Sequence, residues 1–283
     1  MNARFTGGTS PGRPRRTGRW GTTALAALLM AGTATAATDT LTLAVQPVLS
    51  EQNTQTAYRP LCQFISEVSG LGCEVRTVPN FLSYWQATYK GAYDLFFDAA
   101  HFTDYRAQKL AYDVLAKIPD GVSYTLIVRE DNLAFDASEL VGKSIATLGP
   151  PSIGAARLEA LFPNPTRQPT IIEVASAEEG VKKVIDGEAA AAILPSPFIS
   201  QQMAGGAPIA VVSVTPQIPH IALSASPEVD AAVRKRISDA LLGASRSPRG
   251  QAMLEAIGFP GFDPADATIY AGQSDILRST WGY

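Results

Sequence analysis

Residues 142–162, GKSIATLGPPSIGAARLEALF, decide the fold class. Residues 142–148 form a short apolar run that predicts a β-strand, and residues 149–154 predict a tight turn. From Ala155 onward, apolar residues recur at helical spacing. Strand, turn and helix thus form a βα unit. Unpaired N–H groups in the first turn of its helix, together with the helix dipole, can hold an anionic or polar group.

The rest of the chain repeats this alternation in two runs of similar size, residues 40–118 and residues 124–214. Strict alternation of strands and helices is typical of a mostly parallel sheet covered on both faces. The sequence therefore predicts an α/β protein with two lobes, each a mostly parallel sheet flanked by helices. Helices of the C-terminal quarter are expected to pack on the first lobe, so the chain crosses between lobes twice, near residues 121–126 and 217–223.

The N-terminus has the features of a cleavable secretory signal. Residues 24–30 are apolar, Ala34-Thr35-Ala36 is a small-x-small cleavage site, and no acid occurs among five arginines: Arg4, Arg13, Arg15, Arg16 and Arg19. We expect export to the periplasm by the general route, because no apolar residues directly follow the arginine pair. The predicted division is a signal peptide at 1–36, a first lobe at 37–122 plus 222–283, and a second lobe at 123–221.

Charge and cysteine content narrow the class of protein. Removing the five signal arginines from 23 basic residues leaves 18 against 26 acidic ones, a net charge of −8, which argues against nucleic acid and anionic membranes as partners. The two cysteines, Cys62 and Cys73, predict one disulfide in an oxidising compartment, worth roughly 2–3 kcal/mol. Neither CxxC spacing nor a nearby histidine indicates a metal or redox role.

Several segments, in this order and spacing, resemble one family. They include YRPLCQFISEVSG, YWQATYKGAYDLFF, the opening βα unit and SAEEGVKKVIDGEAAAAI. Together they resemble the periplasmic substrate-binding proteins of phosphonate and phosphite ABC transporters. The resemblance implies a type II periplasmic binding fold whose lobes close by hinge motion on a small ligand in the cleft between them. It also implies a membrane permease as partner; we expect a monomer without cofactor.

The chain departs from that family at the turn of the opening βα unit. Family members have a turn rich in hydroxyl residues that hold phosphonate oxygens, whereas this turn has only Ser152, after two prolines that offer no N–H. Oxyanion binding would then depend on Ser152 and on the N–H groups of Ile153 and Gly154. Residues 193–198, ILPSPF, add apolar surface. A lipid or sterol-like ligand is therefore the alternative. Burying unpaired polar groups against an apolar ligand is costly, and this cleft has lost some of those groups.

Residues 93–105, YDLFFDAAHFTDY, are the second concentration of candidates. Asp98 and His101 are predicted to face the cleft. Asp98 could instead cap the following helix, with His101 in its first turn, and a metal site made by Asp94, Asp98, His101 and Asp104 is a weaker hypothesis. His220, near the second crossing, is either a ligand contact or a hinge residue. The remaining predicted ligand contacts are Gln46, Tyr84, Tyr124 and Phe198.

Enzyme motifs are missing from the predicted mature chain, residues 37–283. The sequence has one GxSxG match, residues 8–12, which lies within the predicted signal peptide, and it contains no HExxH or P-loop and no GxGxxG after a strand. We therefore predict a binding protein without catalytic residues. A ligand-sensing module for a membrane kinase would have the same fold and cleft, and the sequence alone does not separate it from a transport component.

Overall fold

A computed structural model describes residues 40–281, with side chains described to residue 278. The predicted signal peptide lies outside the described residues. The longer helices are α1 (Glu51–Ser69), α2 (Phe81–Lys90), α3 (Ala100–Leu110), α4 (Ile153–Leu161), α5 (Ala177–Ile185), α6 (Ser196–Ala204), α7 (Ala231–Leu242) and α8 (Pro248–Ile257). Two short helices follow, α9 (Ala267–Tyr270) and α10 (Asp275–Trp281). Within residues 40–281, no helix combines the length and hydropathy needed to cross a bilayer.

Twelve strands lie in the described chain: β1 (Thr40–Val45), β2 (Gly72–Arg76), β3 (Leu95–Asp98), β4 (Asp113–Lys117), β5 (Gly121–Val122), β6 (Tyr124–Arg129), β7 (Ser144–Thr147), β8 (Thr170–Glu173), β9 (Ala191–Pro195), β10 (Ile209–Val214), β11 (Ile218–Pro219) and β12 (Ala222–Ala225). Ten of them form two five-stranded sheets, and β5 pairs with β11. The predicted strand and helix alternation is confirmed.

The two sheets share one topology. The first has the order β2-β1-β3-β12-β4, with parallel pairing from β2 to β3 and an antiparallel β12 between β3 and β4. The second has the order β8-β7-β9-β6-β10, with β6 antiparallel to both neighbours. Each sheet therefore has four strands in one direction and one reversed strand. The predicted α/β class with two lobes, each a mostly parallel sheet, is confirmed.

The reversed strands are the places where the chain changes lobe. Strand β6 follows the first crossing and β12 follows the second. The crossings lie side by side, because Ile218 pairs with Val122 and Pro219 with Gly121. They coincide with the segments predicted for the crossings. The exact lobe boundaries, at residues 122 and 222, stay predictions.

Helix starts follow local capping chemistry. Ser152 caps α4 by accepting a hydrogen bond from Ala155 N, and Asn80 caps α2 through Ser83 N. The sequence predicts a cap for α1 at Asn53 or Thr54, but the helix begins earlier because the Ser50 hydroxyl accepts from Asn53 N. A capping residue followed by proline predicts the start of α7 at Ser226-Pro227. That prediction is wrong, because α7 begins after Asp230, whose carboxylate accepts from two backbone N–H groups.

The predicted disulfide is present. Cys62 on α1 is bonded to Cys73 on β2, with their Cα atoms 5.4 Å apart. The bond fixes the first helix against the edge strand of the first sheet. It closes a loop with a sequence separation of 11 residues, which removes conformational freedom from the unfolded chain.

The buried apolar side chains of the described residues form four clusters, and the two largest are one confined to the first lobe and one that both lobes share. In the first lobe, β1 and β3 pack against α1, α7 and α8 through residues such as Leu43, Ile65, Phe97 and Ile237. The shared core combines Tyr84, Trp85 and Phe102 of the first lobe with Ala177, Leu194 and Phe198 of the second. We call this second group the shared core. It places the lobes in direct apolar contact.

Candidate functional site

The ends of strands from both lobes meet around two buried turns. His101, in the first turn of α3, has its Nε2 2.8 Å from the carbonyl oxygen of Pro151, in the turn before α4. His101 is fully buried. Because a carbonyl oxygen only accepts hydrogen bonds, Nε2 carries the proton and donates. The two helix N-termini singled out in the sequence are therefore brought together across the cleft.

Two more hydrogen bonds join the lobes. Ala177 N, at the start of α5, donates to Val48 O over 2.7 Å. Asn53 Nδ2 on α1 donates to Glu178 Oε1 over 3.0 Å. Together with the shared core, these bonds define a closed arrangement of the lobes.

The first-lobe side of the site is neutral. Burial lowers the pKa of His101 to about 3, although its bond to Pro151 opposes the shift. The imidazole is therefore uncharged at neutral pH. Its Nδ1, which is left as an acceptor, is buried and has no hydrogen-bond partner among the described residues. A buried polar atom of this kind is uncommon in native proteins and calls for a bound donor.

The second-lobe side offers donors. The first internal bond of α4 runs from Ala156 N to Ser152 O, so the N–H groups of Ile153 and Gly154, in the buried first turn of the helix, have no acceptor within the helix. Thr147 ends β7 directly behind this turn, is fully buried, and its hydroxyl is unpartnered within the described chain. The helix dipole favours a negative group here.

Close packing brings the N-terminus of α4 onto the sheet. A methyl group added to Gly154 would lie 3.2 Å from Ile193 O, 3.4 Å from the Tyr124 ring and 3.7 Å from Thr147 Oγ1. Gly154, Tyr124 and Thr147 therefore surround one position. The sequence analysis did not single out Thr147, because it is the last residue of an apolar strand. The feature that could have identified it is a lone hydroxyl group at the C-terminal end of that strand.

Asp98 and Tyr84 belong to a network inside the first lobe. Arg106 holds Asp98 with two hydrogen bonds of 2.7 and 2.6 Å, and the Tyr84 hydroxyl donates to Asp98 over 2.8 Å. All three side chains are fully buried. Burial, and then the Asp98 charge, raise the pKa of Tyr84 well above its usual value. Asp98 does not cap α3, whose N-cap position is taken by Ala99.

The other three candidates lie at separate places around the cleft. Gln46 follows β1 and its Oε1 accepts from Ala99 N over 3.1 Å, directly beside α3. Phe198, in the first turn of α6, is buried in the shared core. His220 lies at the second crossing, where its Nδ1 accepts from Ile221 N and burial lowers its pKa to about 4. Within the part of the chain that the structure describes, no hydrogen bond joins His220 to His101 or Ser152.

The carboxylates of the weaker metal hypothesis are used by other groups. Asp94 accepts from Thr42, and Asp104 accepts from Gln108 and from Ser274 N. Among residues with described side chains, no three His, Cys, Asp or Glu are grouped so that they could hold a metal ion.

Comparison with known proteins identifies both a family and its fold. The sequence model of a family described as "ABC transporter, phosphonate, periplasmic substrate-binding protein" matches residues 43–270. A search of curated proteins finds no match.

Solved structures share the fold at low identity. PhnD1 from Prochlorococcus marinus, in complex with methylphosphonate, has a TM-score of 0.75 at 12% identity, covering 86% of this chain and 98% of that one. A binding protein component of an ABC phosphonate transporter from Pseudomonas aeruginosa has a TM-score of 0.70 at 11% identity, covering 85% and 86%. A Xanthomonas citri protein bound to ATP has a TM-score of 0.65 at 16% identity, covering 84% and 98%. At such identities the likeness concerns the fold.

Proposed function

Because this chain belongs to the family of periplasmic substrate-binding proteins of phosphonate ABC transporters, we propose that it delivers a small phosphonate-type oxyanion to a membrane permease. The ligand binds in the cleft between the lobes. The protein acts as a periplasmic monomer after removal of residues 1–36, and it releases its ligand chemically unchanged.

Two buried, unpartnered polar atoms near the turn before α4 carry this proposal: His101 Nδ1, whose ring is bonded to that turn through Nε2, and the Thr147 hydroxyl, which lies beside Gly154. The Thr147 hydroxyl and the N–H groups of Ile153 and Gly154 donate to the charged oxygens of the ligand. The Nδ1 of neutral His101 accepts from a protonated oxygen. The ligand bound in this way is a phosphonate that keeps one P–OH group. Ser152 contributes by capping α4 and so fixing the turn.

Closure makes the binding productive. Contacts from both lobes to one ligand favour the closed form, and a ligand shifts the population only by its preference for that form. The bonds of His101 to Pro151 and of Ala177 to Val48 are available only when the lobes are together. The permease then recognises the closed protein.

The apolar surroundings support a second candidate ligand. Phe198 is buried, and the two prolines before Ser152 lack N–H donors. A lipid or sterol-like molecule would use this surface and leave Thr147 without a partner. Binding of the oxyanion therefore depends on the Thr147 hydroxyl, whereas binding of the apolar ligand does not.

Titration calorimetry with methylphosphonate tests the proposal. We expect the wild-type chain to bind, and Thr147→Val to weaken binding about five- to tenfold, the worth of roughly 1–1.4 kcal/mol for one hydrogen bond. Folding stability should not fall, because the substitution removes a hydroxyl that is already unpaired in the protein.

Thr88→Val is the matched control. Thr88 lies on α2 in the first lobe, is equally buried, and its hydroxyl is likewise unpartnered in the described structure. Its loss should leave methylphosphonate affinity unchanged. Absence of binding by the wild-type chain, with uptake of a lipid probe that is insensitive to Thr147→Val, would replace the oxyanion by the apolar ligand.

A further inference from the structure

We propose that the C-terminal segment, residues 270–277, is a latch between the lobes: it is anchored on the first lobe, covers the turn before α4 on the second, and limits how far the ligand-free protein opens. The latch rests on the proposed function because it acts on the same cleft. Its main test needs no ligand.

The segment is anchored at two buried points. The hydroxyl of Tyr270 donates to His220 O over 2.9 Å at the second crossing, and the Tyr270 ring is fully buried beside Ala100 and Ala222. Ser274 N donates to Asp104 Oδ2 on α3 over 2.8 Å. A buried bond to a charged acceptor is stronger than a neutral one. These contacts fix the segment to the first lobe and to the crossing.

From these anchors the chain reaches the second lobe. Ile276 lines a cavity of about 50 Å³ together with Pro150, Pro151, Ser152, Ala155, Ala156 and Glu159. Ile276 also packs against the apolar cluster that contains Tyr124, Ile153 and Leu158. Leu277 is 1% exposed and is part of the shared core. The same few residues thus contact both lobes beside the helix N-terminus of the proposed site.

Opening the lobes has a direct cost for this segment. Ile276 and Leu277 would lose their second-lobe contacts while Tyr270 and Ser274 stay bonded to the first lobe. Exposing such side chains to water is unfavourable in proportion to the apolar area. The latch therefore shifts the lobes toward closure before any ligand arrives.

Most of the latch lies beyond the residues that the family model matches. The family match ends at residue 270, the first residue of the latch. The anchors Asp104 and His220 lie within the matched region, whereas Ser274, Ile276 and Leu277 follow it. The inference therefore concerns how the lobes of this protein close, and it makes no statement about the ligand.

Hydrogen exchange of the full ligand-free chain tests the latch. The amide of Ala177 reports opening because it donates to Val48 O across the cleft. We expect Ile276→Asp to raise its exchange rate about tenfold, equal to roughly 1.4 kcal/mol, and small-angle scattering to show a larger radius of gyration. The new carboxylate would also face Glu159, which lines the same cavity.

Ile269→Asp is the matched control. Ile269 lies on α9, is 39% exposed, and carries the same change in charge close to the latch. In this variant, the exchange rate of the Ala177 amide and the radius of gyration should equal those of the wild type. Leu277→Ala is a second latch variant, which should act in the same direction as Ile276→Asp without adding charge.

Unchanged exchange at Ala177 in both folded latch variants would overturn the inference. So would a rise that is equal at the amides of β1, because that pattern means global unfolding. Failure of the wild-type chain to bind methylphosphonate would contradict the proposed ligand and leave this result intact. The two hypotheses can therefore fail separately.

Discussion

His101 is the residue whose chemistry depends most on its surroundings. It lies on a helix N-terminus, where a positive charge is unfavourable, and it is fully buried with Arg106 nearby. These features keep it neutral, and its bond to Pro151 fixes which nitrogen carries the proton. A neutral histidine with one fixed tautomer can recognise a proton on the ligand, which a charged one cannot.

The two histidines predict how stability depends on pH. Their pKa values, about 3 for His101 and about 4 for His220, are below the ordinary value of 6.5. As pH falls below 6.5, the unfolded chain takes up protons that the folded chain refuses, so stability present at pH 7 is lost. We expect a loss of about 2 kcal/mol for each histidine between pH 7 and pH 5, measured by urea unfolding.

Single variants separate the two contributions. The chain has only two histidines, and most carboxylates stay ionised in this interval. His101→Asn and His220→Asn should each remove about half of the pH dependence, whatever their effect on stability at pH 7. A dependence that stays at its wild-type size in both variants would show that other groups cause it.

The site residues show what a sequence can and cannot reveal. The turn at Ser152, Ile153 and Gly154 was predictable because a turn before a helix has a recognisable pattern. The bond between Asp98 and Arg106 was not, because nothing in the sequence shows that Arg106, eight residues later, turns back onto Asp98. The burial that leaves Thr147 unpartnered depends on the packing of Gly154 against the sheet, which no local pattern encodes.

At the scale of elements, helix ends depend on single side chains and glycines. Gly250, in the first turn of α8, packs against a short 3-10 turn at residues 244–246. A methyl group there would lie 2.5 Å from the Cα of Ala244, closer than real contacts allow. The approach of α8 to this turn therefore requires glycine.

Gly250→Ala is expected to destabilise the protein by about 3 kcal/mol or more, because the backbone itself must move. Chemical denaturation measures this loss. The control is Gly261→Ala, since an added methyl at Gly261 meets no atom within 4 Å; it should stay within about 0.5 kcal/mol of the wild type. Equal stability of the two variants would contradict the packing described for α8.

Element types were predictable, and their starts were less so. Periodicity identified the strands and helices because one face of each is buried. The start of α1 shifted to Ser50 and that of α7 to Asp230 because several capping residues stand close together in each stretch. The choice between neighbouring caps is made by packing of the helix, which the sequence alone does not give.

For the whole molecule, the shared core has consequences for cooperativity. Phe102 and Trp85 from the first lobe pack in one cluster with Ala177 and Phe198 from the second. Unfolding either lobe exposes apolar surface of the other. The lobes should therefore stabilise each other in the closed form.

Calorimetry of the ligand-free chain tests this coupling. We expect a single thermal transition in which the calorimetric and van't Hoff enthalpies agree, as for a two-state protein. Phe198→Ala, which removes an aromatic ring from the shared core, should lower the transition temperature. It should also increase the difference between the calorimetric and van't Hoff enthalpies. Two resolved transitions in the wild type would show that the lobes unfold independently.

The order of the first sheet also constrains how the exported chain can fold as it emerges from the membrane. Strand β12 lies between β3 and β4, yet it follows the whole of the second lobe in the sequence. Until residue 225 has crossed the membrane, β4 has no neighbour to pair with and the sheet ends at β3. The N-terminal lobe is thus the last to be completed, and a chain interrupted within the second lobe leaves an open sheet edge exposed to other chains.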